Sequence, residues 1–285
     1  MRRVELMRVR DLEMRFGERT YVMGIVNVTP DSFSGDGLLS AGSPVPTAVT
    51  RAEQMVAEGA DIIDVGGEST RPGHGPVDVV AELERVVAVV AAIRSRLPGV
   101  PISIDTSKPA VASAALEAGA DIINDVAAVT RQAALAPVAA AHGVPYILMH
   151  GRARPDYHDV VAEVVADLAG ALGRAEELGC VRESLIVDPG IGFGKTAQQN
   201  LVLLGGLSAL RALGRPILLG TSRKSTIGAV LELPVDQRLE GTLATTALGI
   251  AAGADIVRVH DVAANVRTAR MSDAIIRGGW TGAQR

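Results

Sequence analysis

Carboxylates, amides and bases recur at one kind of place in this chain, the ends of its strongly apolar runs. The runs close on Asn27, Asp64, Asp105, Asn124, His150, Asp188, Ser222 and His260, and Arg258 stands two positions before the last. An ionised Asp accepts two hydrogen bonds at once, which suits an amidine-like edge with adjacent N–H donors. The most specific string is Asp188-Pro189-Gly190-Ile191-Gly192-Phe193-Gly194-Lys195, a carboxylate followed by a glycine-dense turn and an aromatic. Its glycines suggest a phosphate cradle, yet their spacing is not that of a Walker loop. A plainer reading makes Asp188 the cap of the next helix. Buried Asp and Asn must be hydrogen-bonded, so a ring of them implies a polar, nitrogen-rich ligand or an internal network.

Two groups of cations stand at run ends late in the chain. Gly220-Thr221-Ser222-Arg223-Lys224-Ser225 places two at a helix start, where they oppose the dipole and so need a reason, such as an anionic or electron-rich ligand. In Arg258-Val259-His260, alternation sends Arg258 and His260 to one side of a strand and Val259 to the other. Side by side they repel if both are charged, unless an anion sits between them. Asn27, just before Thr29-Pro30-Asp31-Ser32-Phe33-Ser34, offers an amide oxygen to a hard cation such as magnesium, with phosphate supplying the remaining ligands. Glu68-Ser69-Thr70-Arg71-Pro72-Gly73 adds another cation and hydroxyls.

Positioning these groups together falls to the apolar runs themselves. Strands are expected at 21–28, 61–65, 101–105, 121–124, 146–150, 185–188, 216–220 and 255–260. Helical stretches lie near 47–58, 79–96, 108–118, 131–142, 157–178, 198–213, 238–252 and 262–277. One phrase recurs at the helix–strand junctions. Residues 59–63 read Gly-Ala-Asp-Ile-Ile, residues 119–123 repeat it, and residues 253–257 read Gly-Ala-Asp-Ile-Val. Its glycine supplies a left-handed helix end before the next strand.

Eight strand–helix units predict an α/β fold, a (β/α)8 TIM barrel of parallel strands forming a single domain over 1–285. A doubly wound open sheet shares the local pattern and is the alternative. In the barrel, all strand carboxyl ends meet on one rim. Alternation in the opening segment predicts a hairpin that caps the barrel's bottom. The Gly/Pro-rich loops 29–46 and 66–78 read as lids over the rim.

Composition narrows the function classes. The chain has 285 residues, 48% hydrophobic but only 2% aromatic, so Ala, Val, Leu and Ile must fill the interior. A net charge of -4 with no Lys/Arg stripe argues against nucleic-acid or membrane binding. No apolar stretch reaches the ~18 residues of a membrane span. The single cysteine, Cys180, excludes an intrachain disulfide and, with no signal-peptide core at the start, indicates a cytoplasmic protein.

Taken in order, these segments resemble one known family, the dihydropteroate synthases of the folate pathway. The resemblance runs from Met23-Gly24-Ile25-Val26-Asn27-Val28-Thr29-Pro30-Asp31-Ser32-Phe33-Ser34 to Arg258-Val259-His260-Asp261-Val262. Between them lie Asp64-Val65-Gly66-Gly67-Glu68 and the residues to Gly73, Ser103-Ile104-Asp105-Thr106, Asn124-Asp125-Val126, Met149-His150, the Asp188 string and Ser222-Arg223-Lys224.

The resemblance implies a homodimeric barrel enzyme that joins 4-aminobenzoate to the pyrophosphate ester of 6-hydroxymethyl-7,8-dihydropterin. It implies that Asp105, Asn124, Met149, Asp188 and Lys224 hold the pterin. Asn27, Arg71, Arg258 and His260 then hold pyrophosphate, with Mg2+ beside Asn27. Thr70, Pro72, Phe193 and Ser222 match the aminobenzoate pocket, where sulfonamides compete. Catalysis is assigned to Asp105, Lys224, Arg258 and His260, which stabilise the separating charges. Two stretches depart from the family pattern, Ser34-Gly35-Asp36-Gly37 and the short 151–155 loop. A pterin-binding methyltransferase-type domain is a competing reading, but it needs no pyrophosphate site. A non-catalytic pterin-binding paralogue is another, which an assay for product distinguishes.

Overall fold

The computed structural model describes residues 6–28, 44–68 and 77–278. Most of the two expected lid loops lies outside these residues, including Phe33, Asp36, Thr70, Arg71 and Pro72. Strands β3 (Tyr21–Asn27), β4 (Ile62–Gly66), β5 (Ile102–Asp105), β6 (Ile122–Asp125), β7 (Tyr146–Met149), β8 (Leu185–Asp188), β9 (Leu218–Leu219) and β10 (Ile256–Val259) pair in parallel. Their order is β8-β7-β6-β5-β4-β3-β10-β9, and a parallel bridge between Val187 and Ile217 joins its two ends. That bridge closes the ring into the expected (β/α)8 barrel and excludes the open sheet.

Side-chain alternation sorts the strands into an inside and an outside. At the bottom, Met23, Ile62, Ile122, Ile147, Ile186, Leu218 and Ile256 form one buried cluster. Met7, Val9, Met14 and Phe16 join it. Most of these come from an antiparallel hairpin, β1 (Leu6–Val9) and β2 (Leu12–Arg15), registered Met7 to Met14. The hairpin is therefore the expected plug, and it removes the apolar bottom layer from water. Two residues further along, the inward positions of β4, β5, β6, β8 and β10 are polar, while β3 and β7 present Ile25 and Met149.

The repeated phrase proves to be a stitch as well as a junction. Its glycine ends the helix with left-handed backbone, φ 102° at Gly59. Its aspartate then accepts the N–H of the neighbouring strand's first residues. Asp61 takes Val22 N at 2.8 Å, Asp121 takes Ile102 N at 2.9 Å and Asp255 takes Ile217 N at 3.1 Å. Each copy thus ties two strands together at the end of the barrel away from the rim.

Helices α1 (Pro44–Ala57), α2 (Val79–Arg96), α3 (Pro109–Glu117), α4 (Ala136–His142), α5 (Val160–Glu177), α6 (Ala197–Gly205), α7 (Ser225–Leu231), α8 (Leu239–Ala252) and α9 (Val262–Ile276) surround the barrel. Three differ from expectation. The helix expected at 131–142 begins only at Ala136, with Pro137 in its first turn. The 198–213 helix stops at Gly205 and gives way to a 3-10 segment, Leu207–Leu213. A Cβ at Gly206 would stand 2.7 Å from the Val161 side chain, so the break lets this corner approach α5. Helix α7 was not expected, and β9 is shorter than the 216–220 strand read from the sequence.

Candidate active site

Six strands each send one side chain inward just above the apolar layer. They are Asp64, Asp105, Asn124, Met149, Asp188 and Arg258, from β4, β5, β6, β7, β8 and β10. Three buried carboxylates together cost heavily unless paired. Arg258 supplies much of the compensation, donating from Nε to Asp64 at 2.6 Å and from Nη2 to Asp105 at 2.5 Å. Asn124 Nδ2 lies 3.4 Å from both Asp64 oxygens. Burial pushes the Asp105 carboxyl up to about 7 despite Arg258, with Asp64 and Glu82 adding to the push. Burial opposes the Arg258 charge, but Asp64 and Asp105 outweigh it and keep the guanidinium firmly protonated.

A second cation enters from the turn after β9. Lys224 Nζ donates to the carbonyl of Ile191 and lies 4.8 Å from the centre of the Phe193 ring. Burial pulls this lysine down to about 8, while Asp188 pulls it back. Burial likewise raises Asp188, against Lys224 and the N–H of Gly190, which donates to Asp188 Oδ1 at 2.7 Å. The plainer reading of Asp188 as a helix cap fails. Helix α6 is capped by Thr196, whose hydroxyl and backbone form a reciprocal pair with Gln199.

The lip above this layer is basic and hydroxylated. Ser222 Oγ lies 3.0 Å from His260 Nδ1 and accepts the His260 backbone N–H at 3.2 Å. Asn27 ends β3 half-buried, and its amide makes no hydrogen bond among the described residues. Below the second loop, Lys108 bridges Glu68 and the fully buried Glu82, and Glu82 also accepts from Thr106 at 2.7 Å. This clamp fixes the residues that lead into 69–76.

Two residues read as rim groups face elsewhere. Arg223 turns back to Asp261, at 2.9 and 2.5 Å, so only Lys224 of the adjacent pair serves the barrel mouth. His150 follows the inward Met149 and so points outward, where its Nε2 meets Asp167 of α5 at 3.0 Å. The departing 151–155 loop is held by Arg152, which binds Asp167 at 2.8 Å and Glu163 at 2.7 Å. Asp64 is the member of the ring that the sequence reading left without a substrate role. Its place at the end of the second apolar run was the signal.

Asp105, Asn124, Met149, Asp188, Lys224, Arg258, Ser222, His260, Phe193 and Asn27 are thus gathered at one mouth. Thr70, Arg71 and Pro72 belong to the segment outside the described residues. The arrangement offers hydrogen-bond acceptors on the floor, a cation beside an aromatic on one wall, and bases at the lip. It suits a planar ligand rich in N–H groups whose far end is anionic.

Comparison with known proteins gives a family. Residues 23–260 match the family model described as pterin binding enzyme. The chain is 48% identical over 272 residues to the dihydropteroate synthase of Clostridium beijerinckii, covering 95% of this chain and 100% of that one. A Clostridium difficile dihydropteroate synthase structure, solved in the presence of pteroic acid, superposes with a TM-score of 0.87 at 47% identity. That match covers 92% of this chain and 98% of the other. The Xanthomonas albilineans dihydropteroate synthase with 4-aminobenzoic acid gives 0.86 at 43% identity, covering 92% and 95%.

Proposed function

Since the chain belongs to the pterin-binding enzyme family, and within it to the dihydropteroate synthases, we infer that it makes 7,8-dihydropteroate. It condenses 4-aminobenzoate with 6-hydroxymethyl-7,8-dihydropterin pyrophosphate and releases pyrophosphate. The observation that carries the residue assignment is the buried layer in which Asp64, Asp105, Asn124 and Asp188 share one pocket with Lys224 and Arg258.

The chemistry follows from that layer. The amine nitrogen of 4-aminobenzoate forms a bond to the pterin methylene as the carbon–oxygen bond to pyrophosphate breaks. The bonding pair leaves with pyrophosphate, and the amine gives up one proton. Asp188 accepts from the adjacent N–H groups of the pterin, while Asn124 offers complementary amide bonds. Lys224 meets an electron-rich edge of the ring. Positive charge grows on the methylene and spreads into the pterin, and Asp105 is the carboxylate assigned to stabilise it. Arg258, His260 and Arg71 receive the growing charge of the leaving pyrophosphate. Phe193 and Ser222, with Thr70 and Pro72, border the aminobenzoate. The contact between Ser222 and His260 supports neighbouring acceptor and leaving-group subsites that meet at the same methylene carbon.

Asn27 suits a hard cation because its amide oxygen is otherwise unengaged among the described residues. It would hold magnesium together with pyrophosphate oxygens, and the ion would supply charge neutralisation there. The exposed apolar side chains Leu201, Val202, Val230, Leu231 and Leu248 on α6, α7 and α8 support a homodimer, which sedimentation equilibrium can measure. Among the described residues no helix is long and apolar enough to cross a membrane. We place the enzyme in the cytoplasm, consistent with its single free, buried cysteine.

Assay of the purified protein with both substrates and magnesium tests the function. Dihydropteroate formation that a sulfonamide inhibits competitively against 4-aminobenzoate is the expected result, and absence of product would refute it. A pH dependence follows from Lys224. Its charged form is the one below about 8, so kcat/KM for the pterin pyrophosphate should fall as pH rises through that value. Lys224→Met should lower kcat/KM at all pH values and erase that limb; a limb that persists would assign it to another group.

A further inference from the structure

The segment from Pro189 to Lys195 brings Phe193 to the mouth and gives the Ile191 carbonyl to Lys224. Gly190 and Gly194 both adopt left-handed backbone, with φ 63° and 61°. A Cβ at either would collide with a carbonyl oxygen, of His150 at Gly190 and of Arg152 at Gly194. The segment therefore lies pressed against the chain that follows β7. A stretch so rich in glycine has much conformational freedom to lose, and something must hold it.

Lys195 does so from the side away from the substrates. Its Nζ lies 2.9 Å from the Gly190 carbonyl, 3.1 Å from that of Phe193 and 2.9 Å from His150 Nδ1. Those contacts use all three N–H bonds of an ammonium. His150 must then accept at Nδ1 and carry its proton on Nε2, which faces Asp167 at 3.0 Å. Arg152 holds the same Asp167 oxygen from Nε and Nη2. Burial keeps the imidazole neutral, pulling it down to about 4, and pulls Lys195 down to about 7. Lys195 is thus a cation on the acid side of neutrality.

We propose that Lys195 is a positioning residue for the acceptor substrate, its ammonium aimed by the Asp167–His150 pair so that it fixes Phe193 at the 4-aminobenzoate subsite. The inference rests on the reading of Phe193 as a wall of that subsite. Lys195 hydrogen-bonds the backbone that carries Phe193, while Asp188 and Lys224 on the pterin side feel its charge only through space, so its loss acts mainly on the acceptor end of the reaction. Misplacement by about an ångström is enough to cost a factor of ten to a hundred in such a contact.

Steady-state kinetics below neutrality, where Lys195 is charged, decide the matter. Lys195→Met should raise KM for 4-aminobenzoate roughly tenfold or more. The KM for pterin pyrophosphate should stay within about a factor of two or three, a split that general loss of structure would not produce. Phe193→Ala should show the same split, and adding Lys195→Met to it should cost little more, because both changes act on one contact. Asp167→Asn keeps the lysine and its carbonyl bonds but disturbs the His150 tether. It should shift the aminobenzoate KM in the same direction by less, and it carries the test if Lys195→Met fails to fold. An aminobenzoate KM unchanged in Lys195→Met, equal losses for both substrates, or full additivity with Phe193→Ala would overturn the inference. With Lys195→Met unfolded, an unaltered Asp167→Asn enzyme would also overturn it. If Phe193→Ala itself leaves that KM unchanged, the subsite reading falls, and the inference with it.

Discussion

Asp188→Asn should lower kcat/KM for pterin pyrophosphate by roughly two to four orders of magnitude while leaving the melting temperature close to wild type. The change is isosteric, and the amide oxygen can keep the 2.7 Å bond from Gly190 N, so the turn should survive. Recognition should not. An ionised carboxylate offers only acceptors to neighbouring N–H groups, whereas an amide turns a donor toward one of them. Losing one charge-assisted bond and leaving a ligand N–H unpaired costs about 3–5 kcal/mol together. Steady-state kinetics beside a thermal melt separate the two effects. A variant with near-normal kcat/KM would remove Asp188 from the pterin site.

Arg258→Met should cost both stability and turnover. Breaking a buried pair from one side typically loses about 3–5 kcal/mol, because the partner charges stay buried and uncompensated. Here the partners are Asp64 and Asp105, and Asp64 is fully buried. The pH dependence has a definite sign. Asp105 already titrates higher in the folded protein, at about 7, than the 3.8 of a free carboxyl. A carboxyl raised in this way favours folding at low pH and loses that contribution as pH rises through the window between the two values. Removing Arg258 widens the window upward, so the deficit in urea-unfolding free energy should be larger at pH 8 than at pH 6. An equal deficit at both would show that Arg258 is not what restrains the upward push on the Asp105 carboxyl. Turnover should fall as well, since the proposed function assigns the same guanidinium to the leaving pyrophosphate.

The main features of the barrel could be read directly from the chain because inward and outward positions alternate with period two. Asn27, Asp64, Asp105, Asn124, Asp188 and His260 end runs on inward positions, so reading the run ends found most of the floor and lip. His150 shows where that reading breaks down. It too ends a run, but it follows the inward Met149, and alternation turns it toward α5. Lys195 was given no role from the sequence, and its ammonium is spent on the string's own carbonyls, a pairing that the glycine spacing does not announce. Arg258 was placed correctly but its partners were not. Asp64 and Asp105 are 194 and 153 residues away, and no local pattern encodes such a pairing. Strand β9 was expected but came out shorter, and helix α7 was absent from the expected helical stretches because one or two helical turns leave little periodicity to detect.

The proposed reaction divides labour within one mouth, the floor for the heterocycle and the lip for its leaving group. Calorimetric titration of His260→Ala with pterin pyrophosphate and with the bare hydroxymethyl pterin tests it most directly. The expected result is weaker binding of the pyrophosphate ester by roughly tenfold or more, about 1.4 kcal/mol, with the bare pterin bound as in wild type. Equal weakening of both ligands would contradict a separate pyrophosphate lip.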